Sequence, residues 1–202
     1  MTAPTSDRRA RPAYAWRVVD IVVAAVLAVA CGLIFTLWSA SWSVMQVPFA
    51  AFPPAGGLLT GGWVIAGPLA GLIIRKPGAA LFCELLAAVI EAALGSQFGL
   101  GAVFSGLLQG AGAELAFALF AYRRFTLPVG LLSGALAGLA LGIHEAIIYY
   151  AEWATMWKVV FFIATTISGA LIAGLVSWLA MKAVAKTGAL SAFAAGRSNR
   201  EV

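Results

Sequence analysis

The sequence predicts an all-α integral membrane protein, a bundle of six transmembrane helices with both termini in the cytoplasm, on three observations. The 202 residues are 62% hydrophobic and 10% charged, with a mean hydropathy of +0.97, whereas a soluble domain carries about 25% charged residues. Apolar stretches of about 20 residues, the length that crosses a bilayer as a helix, recur along the chain. The basic residues fall between these stretches and alternate from one gap to the next. A membrane barrel is excluded, because its strands would alternate apolar and polar residues over about ten positions, and these runs do not.

The first span runs from Arg17 to Trp38, behind a start that carries Arg8, Arg9 and Arg11. The second covers Gly57 to Ile74, and Arg75-Lys76 separate it from a short third span, Ala79 to Leu94. The fourth is Val103 to Ala121, followed by Arg123-Arg124; the fifth is Leu127 to Ala151, and the sixth, Val159 to Met181, is followed by Lys182 and Lys186. The gaps Ser39 to Gly56 and Gly95 to Ala102 carry no charge, and the last gap balances Glu152 against Lys158. Basic gaps lie inside, so a cytoplasmic tail (1–15), a membrane domain (16–182) and a second cytoplasmic tail (183–202) are expected in a multi-pass plasma-membrane protein. Both tails are expected to fray. The first run continues apolar well past Cys31, which argues against a cleaved signal or lipoprotein site at Leu27 to Cys31. Arg8-Arg9 reads as topogenic charge.

The net charge of +5 is the same flanking charge seen from a distance. It comes without a basic face interleaved with aromatics, so nucleic acid is not expected as a partner. Cys31 and Cys83 fall inside spans at different depths, as packing residues and not as a disulfide or a metal site. Small residues form stripes: Gly130, Gly134, Gly138 and Gly142 along span five, and Ala24, Ala28 and Gly32 along span one. Such stripes let helix backbones approach closely. The first favours packing within the chain, and the second is equally suited to docking another membrane subunit. The proline-containing segment Ser39 to Gly56 is expected to lie over the outer mouth as a lid.

The unusual feature is negative charge inside the spans. Glu84, Glu91, Glu114 and Glu145 have no Lys or Arg at comparable depth, and a carboxylate at mid-bilayer costs about 2.5 kcal/mol or more, so each needs a cavity, a partner or a ligand. Glu84 and Glu91 are seven residues apart on one helical face. Gln109 and Glu114 on span four are expected at matching levels. Glu145 and Tyr149, one turn apart on span five, face one way in the outer half. Trp38 and Trp63 share that depth, while Trp153 and Trp157 suit the interfacial aromatic belt. Carboxylates and aromatic faces around one cavity suit a flat cation. His144 points about 100° away from Glu145; it serves either as a packing residue or as a ligand contact.

The sequence holds no GxxxxGK[ST], HExxH, CxxC or GxSxG pattern. No ATP hydrolysis, enzymatic activity, cofactor or metal is therefore expected of this chain.

Four stretches, Trp16-Arg-Val-Val-Asp20, Gly67-Pro-Leu-Ala-Gly-Leu-Ile-Ile-Arg-Lys-Pro-Gly78, Glu91-Ala-Ala-Leu-Gly-Ser-Gln-Phe-Gly99 and Gln109-Gly-Ala-Gly-Ala-Glu114, resemble the YkoE family. These are S components, the substrate-binding subunits of energy-coupling factor (ECF) transporters, linked to thiamin and its hydroxymethylpyrimidine precursor. The resemblance implies a six-helix fold, a transmembrane T component and two ATPase subunits as partners, and capture of a small cationic vitamin. It implies Glu91 and Glu145 as direct contacts, with Gln97, Gln109, Trp38, Trp63 and Tyr149 shaping the pocket. Glu84 and Glu114 lie deeper, where ligand contact and bonding to helix backbone are both open. Small residues on the first helix mediate docking in many such subunits, which would assign that role to Ala24, Ala28 and Gly32. The competing readings are an S component for another small vitamin, a membrane scaffold whose glutamates meet a partner's basic residues, and a proton-coupled carrier acting alone.

Overall fold

Helix α1 (Val18–Met45) starts where an acid can close its first turn: Asp20 Oδ2 accepts the Arg17 N–H at 2.7 Å, at the end of a helix dipole that favours negative charge. The structure is a computed structural model and describes residues 14–197; Arg8, Arg9 and Arg11 lie outside the described residues. Asp20 is fully buried and pairs with both Arg17 and Lys76, while Lys76 Nζ donates to the Ala15 carbonyl at 2.5 Å. Lys76 is thus more than topogenic charge: it ties the start of α1 to a distant turn. Between Trp38 and Pro48 there is no Gly or Pro. Helix α1 therefore continues about two turns past its expected end, and only the remainder of the expected lid, a 3₁₀ turn at Val47–Phe49 and the residues to Pro53, is non-α-helical.

The second crossing is not one α-helix. Pro53–Val64 forms a 12-residue 3₁₀ segment that passes into α2 (Ala66–Ile74), although 3₁₀ runs beyond three or four residues are uncommon. Gly57, Gly61 and Gly62 leave it narrow enough to sit among its neighbours. A Cβ on Gly61 would lie 2.5 Å from the Ser168 carbonyl oxygen, and one on Gly62 would enter the Trp38 indole. Neighbouring side chains satisfy its backbone: Ser168 Oγ donates to Leu58 O at 2.7 Å and accepts from Gly61 N at 2.8 Å, and Trp38 Nε1 donates to Leu59 O at 3.0 Å. In an apolar surrounding each such group left alone would cost several kcal/mol.

Helices α3 (Ala79–Ala93), α4 (Leu100–Leu119) and α5 (Leu127–Ile148) follow as antiparallel neighbours. The last crossing is one rod: α6 (Thr155–Ser168), a π-helical stretch (Gly169–Leu175) and α7 (Val176–Lys186). Five of these stretches are long and apolar enough to cross a membrane. The expected third span, α3, has 15 residues and is not among the five.

The α5 glycine stripe packs inside the chain. Gly134 meets Gly169 and Gly174, and Gly138 and Gly142 meet Thr165, so two backbones touch where the partner rod widens into its π turn. A Cβ on Gly134 would collide with the Gly169 carbonyl oxygen and lie 2.6 Å from Gly174 N. Gly134→Ala is therefore expected to destabilise the fold by about 2 kcal/mol, as overpacking against rigid backbone does. Thermal unfolding of the purified protein checks this, and an unchanged midpoint would mean that the contact is loose.

Two expectations are corrected here. Ala24 and Ala28 are fully buried, and a Cβ on Gly32 would lie 2.8 Å from Ile90 Cβ. The stripe assigned to partner docking thus packs against α3, because α1 has an internal neighbour along that face. The outward side of α1 carries large residues, among them Val22, Val26, Val29 and Leu33. The second tail does not fray up to residue 197. Leu190, Phe193 and Ala195 are buried, Arg17 donates to the Ala192 carbonyl at 3.3 Å and stacks over Phe193 at 5.6 Å, and a short α8 (Ala194–Arg197) follows. Cys31 and Cys83 are buried and unpaired.

Candidate ligand-binding site

The bundle has two chemically different ends. At one, Arg17, Asp20 and Lys76 form their cluster beside Trp16, whose indole donates to Pro77 O at 3.0 Å, and Tyr14 donates to Ala121 O at 3.2 Å. At the other, aromatic rings from four elements meet in a chain: Trp42 to Trp63 at 4.9 Å, Trp63 to Phe98 at 5.7 Å, and Phe98 to Tyr149 at 6.3 Å. The first two contacts are edge-to-face, the arrangement that ring quadrupoles favour.

Behind this aromatic end lies a narrow cleft of about 40 Å³. Glu91 and Ala88 of α3 form one wall, with Gln109, Ser105 and Gly101 of α4 beside them. Glu145, Tyr149 and Leu141 come from the α5 side, Trp63 from the 3₁₀ segment, Phe35 from α1 and Phe98 from the α3–α4 connection. None of the lining residues is basic. Tyr149 is 46% exposed, so the cleft opens past it. Its hydroxyl fits only because residue 101 is glycine, where a Cβ would lie 2.6 Å away.

The two carboxylates that face the cleft are held differently. Glu91 Oε1 accepts from Ser39 Oγ at 2.5 Å and from Ser96 Oγ at 2.9 Å, and Ser39 Oγ in turn accepts from Trp63 Nε1 at 2.8 Å. One carboxylate oxygen thereby gathers α1, the 3₁₀ segment and the α3–α4 connection, through charge-assisted bonds stronger than neutral ones. Glu145 accepts no hydrogen bond from the described residues. Gln109 Nε2 donates to Ser105 Oγ at 2.6 Å, and its carbonyl oxygen accepts no hydrogen bond from the described residues.

The comparisons with known proteins agree with this architecture. The family model described as "ABC-type cobalt transport system, permease component" matches residues 19–140. A crystal structure of an S component of an ECF transporter superposes with a TM-score of 0.87 at 31% identity, covering 93% of this chain and 94% of that one. The HMP/thiamine permease YkoE of Bacillus subtilis (strain 168), which bears that name provisionally, is 32% identical over 185 residues, 90% of this chain and 91% of its own. The chain belongs to the YkoE family of ECF S components. It is a multi-pass membrane protein, and its relatives are transport proteins and not enzymes.

In this S component, five of the residues singled out from the sequence, Trp63, Glu91, Gln109, Glu145 and Tyr149, line the one cleft. Trp38 and Gln97 stand behind it: the Trp38 ring backs the 3₁₀ segment, and Gln97 Nε2 donates to Ser39 O at 3.2 Å. His144 is buried, 5.9 Å from the Phe104 ring and 6.3 Å from that of Tyr149, and its Nδ1 has no hydrogen-bond partner. Glu84 lies below the cleft with Oε2 accepting the Gly67 N–H at 2.5 Å, in the first turn of α2. Glu114 sits a turn nearer the basic end, not at the expected level of Glu84. It accepts from the N–H groups of Gly78, Ala80 and Leu81 at 2.7, 2.9 and 3.2 Å, so it caps the start of α3, whose own preceding residue, Gly78, has no side chain to do so.

Glu114→Ala is accordingly expected to lower stability by about 1 to 2 kcal/mol and to leave ligand affinity within twofold. A loss of affinity larger than the loss of stability, by titration and thermal unfolding of the same preparation, would place Glu114 at the ligand instead. Sequence reasoning missed Ser39, Ser105, Phe35 and Phe98. Ser105 could have been found from its one-turn spacing to Gln109; Ser39 could not, because it was read as the first residue of a loop.

Proposed function

We propose that this chain captures thiamin, or its hydroxymethylpyrimidine precursor, outside the cell and presents it to a T component and two ATPase subunits that drive uptake. Glu145 carries the reading. Its carboxylate faces a cleft walled by Trp63, Phe98 and Tyr149 and finds no donor among the described residues, so the charge is left for whatever enters. A thiazolium cation matches it, and an aromatic wall attracts the same cation through its ring face. Across the cleft, Glu91 and the free carbonyl oxygen of Gln109 can accept from the exocyclic amine of the aminopyrimidine. In this reading α3 completes six crossings, the basic loops and both termini face the cytoplasm of a plasma membrane, and the cleft faces out.

Cobalt is named in the matching family model's description. Among the described residues no three His, Cys, Asp or Glu side chains are placed to hold a metal ion. The scaffold reading is also weakened, because Glu84, Glu91 and Glu114 each accept hydrogen bonds within the chain.

The test is equilibrium titration of the purified protein, without partners, against thiamin, hydroxymethylpyrimidine, riboflavin and biotin. Submicromolar binding of a thiamin-related compound is expected. Binding of none of these compounds, or of riboflavin or biotin alone, sinks the proposal. Uptake that persists in vesicles without ATPase subunits would replace it with a carrier acting alone.

A further inference from the structure

A second, larger cavity of about 370 Å³ lies at the aromatic end, between the last turn of α1, the 3₁₀ turn after it and the α5–α6 connection. It shares no lining residue with the ligand cleft, yet the two are adjacent at two points. Trp42 lines the outer cavity and Trp63 the inner, with ring centroids 4.9 Å apart. Tyr150 lines the outer and Tyr149 the inner, as consecutive residues. The outer walls are aromatic. Tyr150 and Trp153 stack at 4.0 Å and 17°, and both meet the 2%-exposed Phe161 edge-on, at 5.2 and 5.6 Å. An interfacial belt would turn these rings to lipid; Trp42, Tyr150 and Trp153 are half-buried here and line a cavity. No acidic residue lines it.

We propose that this cavity is an antechamber: a weak site for the flat heteroaromatic ring of the ligand, occupied in transit before the Trp42–Trp63 pair and the Tyr149–Tyr150 step admit it to the inner cleft. The inference rests on the thiamin-type reading above. Aromatic faces without a carboxylate attract a heteroaromatic cation modestly, and the two carboxylates that hold it firmly, Glu91 and Glu145, belong to the inner cleft alone. Weak outer binding followed by strong inner binding makes capture a two-step process. The ligand occupies the outer site in rapid equilibrium, and passage inward sets the rate.

Stopped-flow tryptophan fluorescence of the full-length protein with thiamin tests this. For the unmodified protein the observed rate is expected to rise and then saturate with thiamin concentration. Trp153→Ala, which removes an outer wall and touches no inner one, should raise the half-saturating concentration at least fivefold while the equilibrium Kd stays within twofold. Trp153→Phe should stay near the unmodified curve. If the alanine variant does not fold, Trp153→Leu takes its place with the same expectation. Tight equilibrium binding with a rate linear in thiamin at every concentration reached would overturn the antechamber and leave the proposed function standing. A Kd that rises in parallel with the half-saturating concentration would also overturn it, by making Trp153 part of the final site. Absence of equilibrium binding to the unmodified protein would instead sink the functional reading itself.

Discussion

Glu145→Gln is expected to weaken thiamin binding at least a hundredfold while leaving thermal stability almost unchanged. The asymmetry follows from what the carboxylate touches. It accepts no hydrogen bond from the described residues and lines the ligand cleft, so an isosteric amide breaks no bond within the protein. What it removes is the negative charge opposite a thiazolium, in a cleft that contains no basic group and where low polarity strengthens charge pairing. A hundredfold is about 2.7 kcal/mol, within the range of charge-assisted pairs. Hydroxymethylpyrimidine has no thiazolium and should lose less than tenfold. Titration of both compounds against both proteins checks this; equal losses for the two would put Glu145 at the pyrimidine, and no loss for either would remove it from the site.

Glu91→Ala should instead destroy binding and stability together. Glu91 is 3% exposed, and its Oε1 is the common acceptor for Ser39 and Ser96, with Trp63 held one bond further on. Truncation strands the buried Ser39 hydroxyl and the half-buried one of Ser96, and loosens the serine that holds the Trp63 indole in the cleft wall. Each stranded group costs about 1 to 3 kcal/mol, so a loss on the order of 3 kcal/mol is expected, with thiamin binding too weak to titrate. Glu91→Gln keeps an acceptor oxygen at the same place. It should retain most of the stability and lose about tenfold in affinity, as a group that anchors the wall and also accepts from the ligand. An alanine variant as stable as the unmodified protein would show that the network is not holding the wall.

Much of this was legible in one dimension because a membrane enforces simple rules. Apolar length marks α1, α4, α5 and the α6–α7 rod to within a few turns. Four-residue glycine spacing on α5 announced a close helix contact, and the structure supplies it at Gly169 and Thr165. Glu145 and Tyr149 on one face, with Trp63 at their level, were enough to bring three of the lining residues together. The failures are equally physical. The stretch 57–64 was read as α-helix because hydropathy does not distinguish α from 3₁₀ geometry. The Ala24, Ala28 and Gly32 stripe was read as a docking face because a small-residue face fits any close neighbour, and here that neighbour is α3 of the same chain. Trp153 was read as a belt residue because an inward and an outward indole at the interface have the same sequence spacing.

The sequence by itself determined that this protein lives in a membrane, that its carboxylates are unmatched by cations within the spans, and that a group of aromatics shares the depth of Glu91 and Glu145. These are properties of composition and period, and any fold of this chain must honour them. Only the tertiary structure decided what each buried glutamate meets. Glu84 and Glu91 share a helix face two turns apart, yet the Gly67 N–H closes on the first, while the second meets two hydroxyls and an open cleft. Helical period fixes which way a side chain points; which donor lies opposite depends on the packing of other segments, and that decides whether a buried carboxylate caps a helix or waits for a ligand.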